Sequence, residues 1–169
     1  MTTNTLISNI TRILFYLGLQ IILFRGLVLF NVSFCFLYIG AILALPKEIS
    51  HTYLVIIAFG IGLLIDAFYN TMGMHAAACA LIGYLRPYLL LLITPQRGYD
   101  EKSDFSIQSM GFIWFLTYAG SLVLIHHFFV FFLELGSFSL FFVTILKVLA
   151  TVLFTMFMLI ILQFFRKNK

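Results

Sequence analysis

From residue 138 to residue 165 the chain carries a single charge, Lys147, in an otherwise apolar stretch. That run is longer than the ~20 apolar residues a helix needs to cross a bilayer. Residues 53–65 form a second stretch with no charge at all. In hydrocarbon no water can satisfy backbone N–H and C=O groups, so only helices or a closed barrel remain. A barrel needs apolar and polar residues to alternate over short segments, whereas these runs are continuous. Composition agrees, with 63% of the 169 residues hydrophobic and 9% charged, against ~25% charged in a soluble domain. There is too little polar surface to coat a water-facing globule. The sequence therefore predicts an all-α polytopic membrane protein, a single integral membrane domain over residues 1–169.

Six candidate crossings follow, at about residues 13–30, 32–45, 52–69, 73–93, 110–135 and 138–165. The second is short, stops at Pro46-Lys47-Glu48, and is separated from the first only by Asn31, which predicts a tight hairpin or a partly re-entrant element. Asn70–Gly73 and Gly136–Ser137 read as turns, Pro87 as a kink, and residues 94–109 as a solvated cytoplasmic connector. One basic residue, Arg12, precedes the first apolar stretch and no small-residue cleavage pattern follows it. That stretch reads as a retained helix and not a signal peptide. Six crossings put both termini on one side. With that side cytoplasmic, Arg12, Lys47, Arg97, Lys102, Arg166, Lys167 and Lys169 fall inside and the outer connections hold no cation. The positive-inside rule then gives N-in, C-in. These helix-end cations account for the net charge of +4, and no nucleic-acid partner is implied.

Ionisable groups within the apolar segments cost at least ~2.5–3.5 kcal/mol each, so they should face the bundle interior and pair. At ~1.5 Å per residue, Asp66, His75, His126, His127, Lys147 and Arg25 fall in one polar layer in the outer half of the membrane. His75 is the neighbour best matched to Asp66, with Lys147 a second candidate. Arg86 lies deeper, beside the carbonyl that Pro87 frees. Such a layer fits a proton path, an ion site or a binding cavity, or else a satisfied network that fixes helix register. His126 and His127 are adjacent and point about 100° apart, unlike a metal pair on one helix face. No metal or cofactor is predicted. Cys35 and Cys79 make no metal or redox spacing and read as packing residues. Gly73, Ala76, Ala80 and Gly83 form a small-residue stripe that lets another helix approach closely, with Gly60 and Gly62 as part of the facing surface. The stripe packs either internally or on a partner. No nucleophile elbow, zinc-protease motif or phosphate loop occurs, so no catalytic residue is assigned.

At residues 60–87, GIGLLIDAFYNTMGMHAAACALIGYLRP, the chain resembles the rod shape-determining protein MreD family. The matching features are Gly62, Asp66, the turn glycine Gly73, Ala76 to Ala80, Arg86 and Pro87. LLITPQRG at 91–98 and LIHHFFVFFLELGSF at 124–138 resemble one branch of that family. The resemblance implies a non-enzymatic membrane scaffold of the bacterial cell-elongation complex. Its partners would be MreC, together with MreB, RodA and its transpeptidase, in the plasma membrane. The family is also distantly similar to substrate-binding membrane subunits of vitamin transporters, which supplies a second reading from another class.

Overall fold

A computed structural model describes residues 3–99, 104–135 and 140–165. Five helices are long and apolar enough to cross a membrane, and the chain is an all-α polytopic membrane protein. Helix α1 (Thr3–Leu19) continues through a π-helical turn, Gln20–Phe24. A small hairpin follows, β1 (Val28–Leu29) pairing antiparallel with β2 (Ser33–Phe34). After an extended stretch comes the short α2 (Ile39–Leu43). The hairpin of α3 (His51–Tyr69) and α4 (Met74–Leu92) is next. It is followed by α5 (Ile107–Met110), α6 (Phe112–Glu134) and α7 (Phe141–Phe164).

Two of the six expected crossings need correction. The first helix begins near Thr3 and not near residue 13, because the apolar span already starts at Leu6, with Leu6, Ile7 and Ile10 interleaved among the polar residues. The second crossing is not a membrane helix. Residues 33–45 pass through the bundle as an extended strand and five residues of helix, and α2 is wholly buried. Membrane-depth backbone without regular structure is tolerated only where protein covers it. Here the cover comes from α1 on one side and α7 on the other. Ser33 hydrogen-bonds Ala150 O of α7, while Lys47 reaches Tyr99 O beyond the end of α4. The segment thus runs from the level of Ala150, nine residues past the start of α7, to the end of the bundle at Tyr99. Arg12 bonds Ala44 O and Gln108 bonds Gln163 O, so the described chain ends lie at one end of the bundle, here called the tail end. The opposite end carries the β-hairpin and the 70–73 turn. The predicted turn at Gly136–Ser137 lies outside the described residues, as do Lys102, Arg166, Lys167 and Lys169.

The α3–α4 hairpin is the tightest contact. Its α3 face is Leu54, Ala58, Ile61, Gly62, Ile65 and Asp66, all buried at helical spacing. A Cβ on Gly62 would stand within 2.5–2.7 Å of Ala76 Cα and N, and closer still to the His75 carbonyl oxygen. On α4, a Cβ on Gly83 would meet Ala58 Cβ at 2.8 Å. Ala76 is buried and Ala80 half-buried. The stripe on α4 is therefore used internally, against α3. Gly60 is not part of the facing surface, since a Cβ there would meet nothing within 4 Å. Gly73 serves the turn instead, at φ 89°. Because the obstructing atoms at Gly62 are backbone, Gly62→Ala is expected to separate the two helices and cost about 2–3 kcal/mol. The check is the melting temperature of purified protein in detergent. An unchanged value would mean that this approach is not needed for stability.

The connector at 94–109 is less solvated than its composition suggests. Phe105 is buried against Trp114 and Tyr118, and Trp114 donates its indole N–H to Ile93 O. Ser106 caps α5 through Ser109 N–H, and Arg12 pairs with Asp104 at 3.5 Å.

Candidate functional site

The polar side chains inside the bundle gather in two layers. The layer nearer the hairpin end is built around residues 33–38, which pair in the hairpin at 33–34 and turn into α2 at 37–38, with no further sheet partner among the described residues. Gln20, placed inward by the π-helical turn, supplies much of what a neighbouring strand would. Its Oε1 accepts from Leu37 N–H (2.6 Å) and Tyr38 N–H (3.3 Å), and its Nε2 donates to Cys35 O (2.9 Å). The same amide reaches Tyr69 Oη at 2.6 Å, tying in the end of α3. From α7, Thr151 Oγ1 accepts from Phe34 N–H and Thr155 Oγ1 from Phe36 N–H. Thr155 can then donate its hydroxyl to His127 Nε2 (3.1 Å), while His127 Nδ1–H donates to Val123 O (2.7 Å). These partners set the tautomer of His127.

Tyr38 occupies the centre of this layer, with no solvent exposure. Its hydroxyl lies 2.7 Å from His75 Nδ1 and 2.9 Å from His126 Nε2, with Cys79 Sγ 3.8 Å from the latter nitrogen. One hydroxyl can donate to one imidazole and accept from the other. His126 Nδ1 is buried with no partner, and a bare acceptor there is less costly than a stranded N–H. The arrangement that follows has His126 Nε2–H donating to Tyr38, and Tyr38 donating to His75. The Phe36 ring packs edge-on against His75 and His126 and tilted against His127, and the His75 and His126 rings stack with centroids 6.3 Å apart.

Asp66 belongs to the same level but does separate work. Its carboxylate accepts from His75 N–H (3.0 Å), Ala76 N–H (2.8 Å) and the Thr71 hydroxyl. A helix start leaves its first N–H groups without intrahelical partners. In α4, Met74 N–H goes to Thr71 O, Ala77 N–H to Gly73 O, and the two between them to Asp66. A negative charge at a helix N-terminus also meets a favourable dipole. The pairing of Asp66 with His75 thus runs through the His75 backbone, not its ring. Asp66→Leu is expected to cost about 2–3 kcal/mol by stranding two buried amides. Glu134→Leu, at an exposed position at the end of α6, should leave the melting temperature unchanged. Equal effects of the two substitutions would refute this role for Asp66.

The second layer lies toward the tail end and centres on Arg86, which is 1% exposed. Its Nε donates to Tyr118 Oη at 2.6 Å and its Nη2 to Leu45 O and, at 3.5 Å, Leu43 O. Tyr118 in turn donates to Leu43 O at 3.0 Å, and the guanidinium stacks 5.3 Å from the Phe105 ring centre. Arg86 therefore holds the far end of the irregular segment and does not use the carbonyl near Pro87. One residue beyond Gly83 O, the carbonyl that Pro87 leaves without its intrahelical donor, Tyr84 O lies 3.0 Å from His51 Nε2. Between the two layers Ile82, Leu122 and Ala119 are fully buried, and this apolar septum separates them.

Lys147 joins neither layer. It is half-buried on α7 and forms no hydrogen bond or ion pair among the described residues. Of the predicted set, Asp66, His75, His126 and His127 come together at one level, while Arg86 and Lys147 stand apart. Among the described residues no group of three His, Cys, Asp or Glu could hold a metal ion. Gln20, Tyr38, Tyr118, Thr151 and Thr155 were not singled out from the sequence. The available signal was spacing: Asn9 and Tyr16 on α1 with Gln20 on its π-helical continuation, and Thr144, Thr151 and Thr155 on α7, repeat at seven and four residues and are all buried. Comparison with protein-family models, curated proteins and solved structures returns no match.

Proposed function

We propose that this protein is a non-enzymatic scaffold of the MreD type in the bacterial plasma membrane. In this reading it binds MreC and, with MreB, RodA and its transpeptidase, supports lateral peptidoglycan synthesis and cell shape. The observation that carries the reading is where the intramembrane polar groups are spent. Asp66, Gln20, Arg86 and Tyr118 bind backbone of this same chain, and Tyr38 and Phe36 are buried side chains at the centre of the layer that holds Asp66. Such groups fix helix register, as a rigid adaptor requires. The resemblance at residues 60–87 supplies the identity of the complex.

In the same reading the tail end faces the cytoplasm. Arg12, Lys47 and Arg97 lie there by structure, and Lys102, Arg166, Lys167 and Lys169 by sequence. Arg25, read from sequence as lying within a helix, follows the last π-helical residue at the opposite end, and it is outnumbered. The positive-inside rule then gives N-in, C-in with the irregular segment completing an even number of passes.

The test is depletion in a rod-shaped host that carries this gene, together with affinity purification from its membranes. Rounded cells and co-purification of MreC are expected. Normal rods with no MreC recovered would overturn the proposal. A tightly retained small molecule would favour the transporter-subunit reading.

A further inference from the structure

The hairpin-end layer grips residues 36–38 through three buried histidines, and the hydrogen bonds commit each of them as a neutral ring. A neutral imidazole carries one donor and one acceptor, whereas a protonated one carries two donors. His75 Nδ1 accepts from the Tyr38 hydroxyl, whose oxygen accepts from His126 Nε2–H. A proton added at His75 Nδ1 would leave the Tyr38 hydrogen facing a donor on either side. His127 Nδ1–H is spent on Val123 O. Its Nε2 accepts from Thr155 Oγ1, the same oxygen that holds Phe36 N–H. A proton at that Nε2 would set N–H against O–H. His126 Nδ1 has no acceptor beside it among the described residues, so a proton there would be a stranded buried N–H.

The titratable neighbours do not relieve this. Asp66 and Tyr69 face the rings from α3, Cys79 from α4, and Tyr38 from the irregular segment, with Cys35 beside Thr155. Asp66 is the one carboxylate in the layer among the described residues, and its oxygens are taken by Thr71 and two amides. The π-helical turn presents Gln20 and α7 presents Thr155, with Lys147 about two turns away toward the hairpin end. The other end of the irregular segment is held differently. Arg86 and Tyr118 grip Leu43 O and Leu45 O, and neither is a group that changes charge between about pH 5 and 8.

We propose that the His75–Tyr38–His126 bridge and the His127–Thr155 pair form an acid-sensitive lock on residues 36–38. Opening lets the histidines ionise, so the lock holds above the ordinary imidazole value of about 6.5 and weakens as pH falls below it. Acid thus frees the hairpin-end half of the irregular segment and leaves the Arg86 end seated. The lock does not depend on which complex the protein serves. That it responds to extracytoplasmic acidity rests on the orientation proposed above.

The experiment is hydrogen exchange by mass spectrometry on the full chain in detergent, with labelling times matched for intrinsic rate. It compares about pH 7.5 with about pH 5.5, on either side of the imidazole range. Protection over residues 34–38 should fall in acid by about tenfold for each histidine that ionises, while residues 41–45 keep theirs. His75→Asn and His127→Gln retain acceptors for Tyr38 and Thr155 but cannot take up a proton. Together they should remove most of the acid response, and His51→Gln at the tail end should leave it unchanged. Protection at 34–38 indifferent to pH, equal loss at both ends, or a full acid response in the double variant would each overturn the proposal. If the double variant does not fold, the contrast between the two ends in the parent decides alone.

Discussion

Replacing Gln20 with Leu is expected to be among the most damaging single substitutions in the chain. Leucine fills a similar volume but withdraws an acceptor from Leu37 N–H and Tyr38 N–H and a donor from Cys35 O and Tyr69 Oη. A buried polar group left without a partner costs about 1–3 kcal/mol, and no water is at hand to compensate. With partial relaxation the sum is about 4 kcal/mol, a large fraction of the 5–15 kcal/mol by which folded domains are held. The expected outcome is loss of monodisperse protein on extraction in detergent, with rapid proteolysis near residues 25–50. Gln20→Glu separates shape from chemistry, since it keeps the acceptor oxygens but loses the donor to Cys35 O. It should fall between the parent and Gln20→Leu. If Gln20→Leu purifies with an unchanged melting temperature, the extended segment does not depend on α1 for its hydrogen bonds.

Arg86 gives the second large effect. Arg86→Met retains much of the side-chain bulk over Phe105 but leaves Leu45 O without its donor and Tyr118 Oη with one partner fewer. A loss of about 3 kcal/mol is expected, in the range found when one member of a buried charged network is removed. Arg86→Lys tests geometry against charge. A lysine keeps the cation but cannot reach Tyr118 and the two carbonyls as a planar fork does, so it should recover less than half of the loss. Full recovery by lysine would mean that charge alone matters at this position. Melting temperatures of the three proteins in one detergent decide between these outcomes.

The two sites share a physical origin. Residues 33–45 are too polar in backbone to lie bare in a membrane and too short in helix to satisfy themselves. Gln20, Thr151 and Thr155 at one end and Arg86 with Tyr118 at the other provide the hydrogen bonds that regular structure would have made. In this chain the intramembrane polar groups act mainly as backbone partners, and Asp66 does the same at the start of α4.

The boundaries of α3 and α4, the 70–73 turn between them and the long apolar helices α6 and α7 were legible because each rests on local information. Apolar run length sets a span, and Asn70 and Gly73 tolerate the positive φ that the turn requires. The grouping of Asp66 with His75, His126 and His127 followed from counting helical rise. Residues 32–45 misled because apolar content alone cannot distinguish a helix facing lipid from a strand buried in protein. Both environments select the same side chains.

Partners at long sequence separation were not legible either. Cys35 and Leu37 lie 15 and 17 residues from Gln20, and Phe36 lies 119 residues from Thr155. The sequence by itself determined that lipid is the solvent and where the α3–α4 hairpin turns, because hydrophobicity and backbone preference are properties of a local stretch, but it gave six crossing helices where the structure has five. Only the tertiary structure decided that the second pass is not a membrane helix, and that Gln20 and Arg86 hold it. A hydrogen bond between distant segments exists only once packing has brought donor and acceptor within about 3 Å.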